Sequence, residues 1–133
     1  MNICKHIFQK YGDERGKLIS LEELKNIPFR IKRVYYIYDV EKGIRRGYHA
    51  HKALEQIIVC VHGSCKIELD NGKEKIIISL EKPDEGLYIT NCIWREIYDF
   101  SPDTVLMVLA SDLYNESDYI RDYDEFLNYT KLC

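Results

Sequence analysis

From Ser64 the chain alternates Cys65, Ile67 and Leu69 with Lys66, Glu68 and Asp70, breaks at Asn71-Gly72, and resumes over Lys73 to Leu80. Alternation with period two puts one set of side chains on a buried face and the other in solvent, which is the pattern of a half-buried strand. Asn-Gly between two such runs predicts a hairpin closed by a type I′ turn, whose central residues both need positive φ. Further β-type runs cover Ile31 to Val40, Gly86 to Thr90, Ile93 to Phe100 and Thr104 to Ala110. Leu54 to Val61 is almost continuously apolar, as a strand covered on both faces would be. A short N-terminal pair is predicted around Cys4 to Phe8 and Lys17 to Leu21, divided at Arg15-Gly16. The tail changes period. Ile120, Tyr123, Phe126 and Leu127 recur at helical spacing, with Ser117 or Asp118 as the N-cap. A long strand series ending in one helix predicts an all-β body, a small antiparallel barrel or jelly roll, with a short C-terminal helix against it.

Length changes this picture little: 133 residues make one domain, too small for two. A net charge of -3 gives no support for a nucleic-acid or membrane-surface protein. No stretch approaches the roughly 18 consecutive apolar residues of a membrane span. The opening Met-Asn-Ile-Cys-Lys-His-Ile-Phe lacks the apolar core of an export signal, so a cytoplasmic location is expected. Five cysteines, odd in number and never spaced Cys-x-x-Cys, suggest neither a disulfide framework nor a zinc knuckle. Cys60, Cys65 and Cys92 read as small buried hydrophobes that stay reduced.

The chemistry concentrates in Gly43-Ile-Arg-Arg-Gly-Tyr-His49-Ala-His51-Lys-Ala-Leu-Glu55. In an extended segment, residues at i and i+2 face the same way, so His49 and His51 present two imidazoles side by side. Imidazole both moves protons near neutral pH and is the commonest metal ligand. His49, His51 and Glu55 would make three ligands, the number a catalytic zinc or iron site needs. The arginines point the other way. Arg33 and Tyr35 share a strand face by the same i, i+2 relation, and Arg46 lies just before the histidines. An arginine, a tyrosine and two imidazoles converging in a barrel suit a phosphorylated, hydroxyl-rich ligand, because arginine grips phosphate through a bidentate fork. Blander readings sit beside these. His6 and His62 are surface residues by default, Tyr98 and Tyr114 are packing residues, and Arg121 has Asp118 and Glu125 at pairing distance on a helix.

Gly43-x5-His49-x-His51-x3-Glu55-x7-Gly63 resembles the first motif of the cupins, jelly-roll barrels with an internal site. Many cupins add a third histidine from a second motif. Here that position is taken by Arg95, in Trp94-Arg95-Glu96. A guanidinium is always charged and only donates, so it cannot bind a metal.

A closer resemblance covers the chain from about Gly12 to Tyr123. Arg46-Gly-Tyr-His-Ala-His-Lys52, Ile31-Lys-Arg-Val-Tyr-Tyr-Ile37, Gly86-Leu-Tyr-Ile, Trp94-Arg-Glu and Ala110-Ser-Asp-x-Tyr-x-Glu-x-Asp-Tyr-Ile-Arg121 together resemble the bacterial sugar 3,4-ketoisomerases. The resemblance implies a metal-independent, cofactor-free isomerase that moves the carbonyl of dTDP-4-keto-6-deoxyglucose from C4 to C3 through an enediol. Such enzymes serve pathways to 3-amino-3,6-dideoxy sugars of surface polysaccharides. It implies His49 as the C3 base and His51 as the second acid/base, with the reverse assignment left open. Arg46 and Arg95 would stabilise the enediolate, while Arg33, Tyr35 and Arg121 would hold the nucleotide diphosphate. It also implies a homodimer whose N-terminal strands, within residues 1–26, exchange between subunits. Family members vary at Arg15 and Arg95 with the product's C4 configuration, and arginine at both leaves that configuration open. Competing readings are a metal-dependent cupin enzyme, a sugar-sensing cupin without catalysis, and a nucleotide-sugar 3,5-epimerase.

Overall fold

A computed structural model describes residue 1 and residues 3–133. The strands are β1 (Cys4–Ile7), β2 (Tyr11–Asp13), β3 (Gly16–Leu18), β4 (Arg33–Ile37), β5 (Arg46–His51), β6 (Gln56–His62), β7 (Cys65–Asp70), β8 (Lys75–Leu80), β9 (Glu85–Ile89), β10 (Trp94–Tyr98), β11 (Val105–Ala110) and β12 (Tyr119–Ile120), followed by helix α1 (Tyr123–Tyr129). Two five-stranded sheets form, ordered β1-β9-β6-β11-β4 and β12-β5-β10-β7-β8, with a separate β2-β3 hairpin. Every pairing within the two sheets is antiparallel. The main core lies between them: Ile58, Leu87, Leu106 and Val108 from the first sheet meet Ile67, Leu69, Leu80 and Ile97 from the second. This is a jelly-roll sandwich whose two sheets do not close into a continuous barrel.

β6 is covered on both faces, as its apolar run predicts. Ile58 and Cys60 point into the main core, and Ile57 and Val59 point out beneath Phe8, Ile27 and Phe29 of the N-terminal segment. β4 is covered on one face only. Tyr35 and Ile37 pack inward, while Tyr36 and Tyr38 stay exposed on the outer side.

Three local expectations change. β1 does not pair with the run after Gly16; it lies on β9, and Tyr11–Asp13 pairs with Gly16–Leu18 instead. The hairpin at Asn71-Gly72 forms, but its loop is longer than a type I′ turn, because β7 and β8 end their pairing at Asp70 and Lys75. Gly72 alone takes positive φ there, and the Asn71 side chain accepts from the Lys73 and Glu74 amides, which stabilises the wider loop. The C-terminal helix starts later than Ser117 or Asp118. Tyr119 and Ile120 are drawn into pairing with His51 and Ala50, so the helix begins at Tyr123 with Asp122 as its N-cap. The helical face survives, with Phe126 and Ile120 buried on Ala50 and Trp94.

The cysteine expectation is corrected as well. Cys60 and Cys65 are buried free thiols, but Cys92 is disulfide-bonded to Cys133. The turn after α1 brings the last residue back onto the loop before β10, a long-range contact that residue spacing does not reveal.

Candidate active site

β5 and β10 carry the chemistry and are joined through a bulge. Arg95 pairs with His49 and Glu96 with Gly47, so Tyr48 is the extra residue. Gly47 and Tyr48 both take positive φ, at 98° and 55°. A Cβ on Gly47 would sit 2.7 Å from the Arg95 carbonyl oxygen, so only glycine fits this close crossing. Bulges re-aim side chains, and this one puts Arg46 rather than Arg45 on the face of His49. Arg45 turns to the outer face, bonded to Glu96 and Glu68, whereas Arg46 lines the mouth of the cavity between the sheets.

The cavity, of about 350 Å³, lies between the sheets and is lined by Arg33, Tyr35, Arg46, His49, Arg95 and Arg121 among others. A second, of about 200 Å³, adjoins it and is lined by His51, Asp118, Arg33 and Tyr119. The structure therefore brings together seven of the eight residues singled out from the sequence. The eighth, Arg15, sits on the exposed turn between β2 and β3, ion-paired with Asp13 and away from both cavities of its own chain. Glu55 does not join the histidines: its carboxylate accepts from the Tyr88 hydroxyl. His6 packs edge-on against Tyr88, and His62 bonds the Asp103 carbonyl, both outside the site.

The two imidazoles are edge to face, with ring centroids 4.9 Å apart. Their hydrogen bonds fix both tautomers. His49 Nδ1 lies 3.0 Å from the Gly47 carbonyl oxygen, and His51 Nδ1 lies 2.9 Å from Asp118 Oδ2. Both partners only accept, so each Nδ1 carries the hydrogen and each Nε2 keeps a free lone pair. His51 Nε2 is buried without a partner. Burial, and after it the positive charge of Arg95, pushes both histidines down to about 3. At neutral pH both rings are therefore uncharged bases.

Arg95 is 2% exposed and donates to the Ile93 carbonyl and to Gln56. Burial lowers it to about 10, which leaves it cationic at neutral pH. Tyr35 accepts from Gln56 Nε2 at 3.0 Å, and burial pushes its phenol up. Arg33 spreads over the Tyr35 and Tyr114 rings. Arg121 does not pair with Asp118 or Glu125; it is held by Glu116 and lies 4.2 Å over the Tyr119 ring at the cavity mouth.

Sequence reasoning missed three residues. Asp118 looked like a helix cap, yet it buttresses His51 and also accepts from the Ala53 amide. Tyr119 packs on both imidazoles, with centroids 5.0 and 4.5 Å away. Gln56 is fully buried between Arg95 and Tyr35. One signal for it was present: a glutamine inside a run covered on both faces must find partners.

Two facing antiparallel sheets with such a cavity between them define a cupin-type jelly roll. Residues 1–131 match the family described as "FdtA: WxcM-like, C-terminal". Over 122 residues the chain is 55% identical to the TDP-4-oxo-6-deoxy-alpha-D-glucose-3,4-oxoisomerase of Aneurinibacillus thermoaerophilus, covering 92% of this chain and 88% of that protein. It superposes on a 3,4-ketoisomerase from Helicobacter canadensis with a TM-score of 0.95 at 50% identity, covering 98% of both chains. A mutant of the 3,4-ketoisomerase QdtA from Thermoanaerobacterium thermosaccharolyticum, solved with TDP-4-keto-6-deoxyglucose, matches with a TM-score of 0.96 at 46% identity over 98% of this chain and 95% of that one. The chain belongs to this family of sugar 3,4-ketoisomerases.

Proposed function

We propose that the chain converts dTDP-4-keto-6-deoxyglucose to the 3-keto-6-deoxy hexose, supplying the ketone that a 3-aminotransferase converts to a 3-amino-3,6-dideoxy sugar. The observation that carries this reading is the pair of neutral imidazoles, each with Nε2 free, beside the buried cation Arg95. Enolising a ketone requires a base at the α-carbon and a positive or hydrogen-donating group at the oxygen that becomes anionic.

His49 lines the larger cavity and is the base that removes the C3 proton. The electron pair forms the C3–C4 double bond and the carbonyl electrons move to O4, where Arg95 and the Tyr35 hydroxyl stabilise the enediolate. O4 then gains a proton as O3 loses one, a transfer assigned to His51, whose imidazolium form Asp118 would stabilise. The protonated His49 exchanges its hydrogen with solvent and delivers a proton to C4, which completes the 3-ketone and regenerates the neutral base. Arg121 and Arg46, exposed at the mouth, are suited to the diphosphate, which moves Arg46 outward and Tyr35 inward relative to the sequence expectation.

The working form is a cytoplasmic homodimer. Exchange of the N-terminal strands within residues 1–26 would carry Arg15 to the partner's cavity, in keeping with its exposed position on the hairpin. A swapped element is a low-cost route to a dimer. Incubation with the dTDP-linked 4-keto sugar and a 3-aminotransferase tests the function, since it traps the product as an amine and reveals its C4 configuration. Failure to form a 3-amino sugar with an aminotransferase active on authentic 3-ketone refutes the proposal.

A further inference from the structure

Arg95, Gln56 and Tyr35 form a hydrogen-bonded chain that crosses from one sheet to the other: Arg95 Nη1 donates to Gln56 Oε1, and Gln56 Nε2 donates to the Tyr35 oxygen. Gln56 is 1% exposed, so water does not substitute for either partner. Only one polarity satisfies the chain. A guanidinium has donors alone, so the atom facing it is the amide oxygen. The amide nitrogen then faces Tyr35, whose oxygen accepts. A phenol that accepts there directs its own hydrogen elsewhere. Among the described residues no hydrogen bond is donated by Tyr35, and the residue lines the cavity beside His49 and Arg95.

We infer that Gln56 is a positioning residue that passes the donor-only character of Arg95 to Tyr35, aiming the Tyr35 O–H into the cavity at the substrate oxygen that becomes the enediolate. The inference rests on the function proposed above. Its logic explains why a polar side chain occupies the otherwise apolar start of β6. Reversing the amide would set its NH2 against the guanidinium and leave both buried donors unpaired.

The test is Gln56→Glu, close in shape and still an acceptor for Arg95. A carboxylate accepts on both sides, so it captures the Tyr35 hydrogen and removes the donor from the cavity. Loss of one such donor lowers kcat by about 100-fold. Y35F should lose a similar factor, and Q56E in the Y35F background should lose far less than it does in wild type, with KM changing little throughout. Full, multiplicative losses from Q56E in both backgrounds, or an unchanged kcat in Q56E alone, would overturn the inference. Nuclear magnetic resonance of 13C-labelled tyrosine separates this from the function itself. The Tyr35 signal, assigned by its absence in Y35F, should titrate at higher pH in Q56E, because its hydrogen then lies on a carboxylate. An unmoved or lowered titration refutes the polarity argument whether or not the enzyme turns over this sugar. An inactive wild-type enzyme with the shifted titration refutes only the function.

Discussion

Asp118 grips two groups at once: Oδ2 accepts from His51 Nδ1 at 2.9 Å and Oδ1 accepts from the Ala53 amide at 2.8 Å. The second bond determines what an amide would do in its place. In Asp118→Asn the side-chain oxygen stays on the Ala53 N–H, so the NH2 faces the imidazole and forces the hydrogen onto Nε2. The lone pair needed for proton transfer is then lost, while charge and shape change little elsewhere. D118N should lower kcat by on the order of 100-fold or more without weakening dTDP binding. Histidine 15N shifts report the tautomer, and a normal kcat with an Nε2–H tautomer would remove His51 from the reaction.

His49→Asn keeps a polar side chain in the cavity but removes the base. Turnover should disappear, and calorimetry should find dTDP affinity within a few-fold of wild type, since the arginines at the mouth remain. Loss of dTDP binding would assign His49 a structural role.

Much of this was legible in the chain, and the boundary is physical. Period-two alternation over Cys65 to Asp70 and the apolar run at β6 announce strands because each residue's burial is set by its own strand's faces. The i, i+2 spacing of His49 and His51 does the same for the site. Asp118 and Cys133 were illegible for a common reason. Each acts through a contact with a residue far away in sequence, His51 and Cys92, and no local pattern encodes which distant partner a polar or thiol group meets. Tyr119 was hidden by a competing signal. Helical spacing in the tail outweighed the edge pairing that pulls Tyr119–Ile120 onto β5.

Acid should destabilise the fold through the same two histidines. Their folded-state values of about 3 lie below the ordinary 6.5, so the unfolded chain binds more protons between those limits. Stability is full above about pH 6.5 and falls as pH drops towards 3, by at most about 1.4 kcal/mol per pH unit for each ring. Urea melts of wild type and the H49N/H51N double variant should converge as pH falls from 6.5 to 4.5. Parallel pH dependences would contradict the neutral, buried imidazoles.

The pH–rate profiles carry the matching signature. kcat/KM reports the free enzyme and kcat the bound complex. Because burial and the Arg95 charge hold both rings at about 3 in the free enzyme, the acid limb of kcat/KM should lie well below 6.5. An acid limb of kcat/KM near 6.5 would mean that burial does not govern the histidines.

Chelation should leave activity unchanged. Arg95 lines the cavity without a lone pair to offer, and Glu55 is turned away to Tyr88, so the two imidazoles lack a third ligand among the described residues. Activity that falls on prolonged chelation and returns with a divalent metal would replace the proton relay with a metal centre.

The central claim is that His49 and His51 move protons between C3, C4 and their oxygens. Running the reaction on dTDP-4-keto-6-deoxyglucose in deuterium oxide and reading the product by nuclear magnetic resonance tests it most directly. The account predicts a 3-keto sugar carrying solvent deuterium at C4, formed by wild type and absent with H49N. A 3-keto product with protium alone at C4, or no 3-keto product, would contradict it.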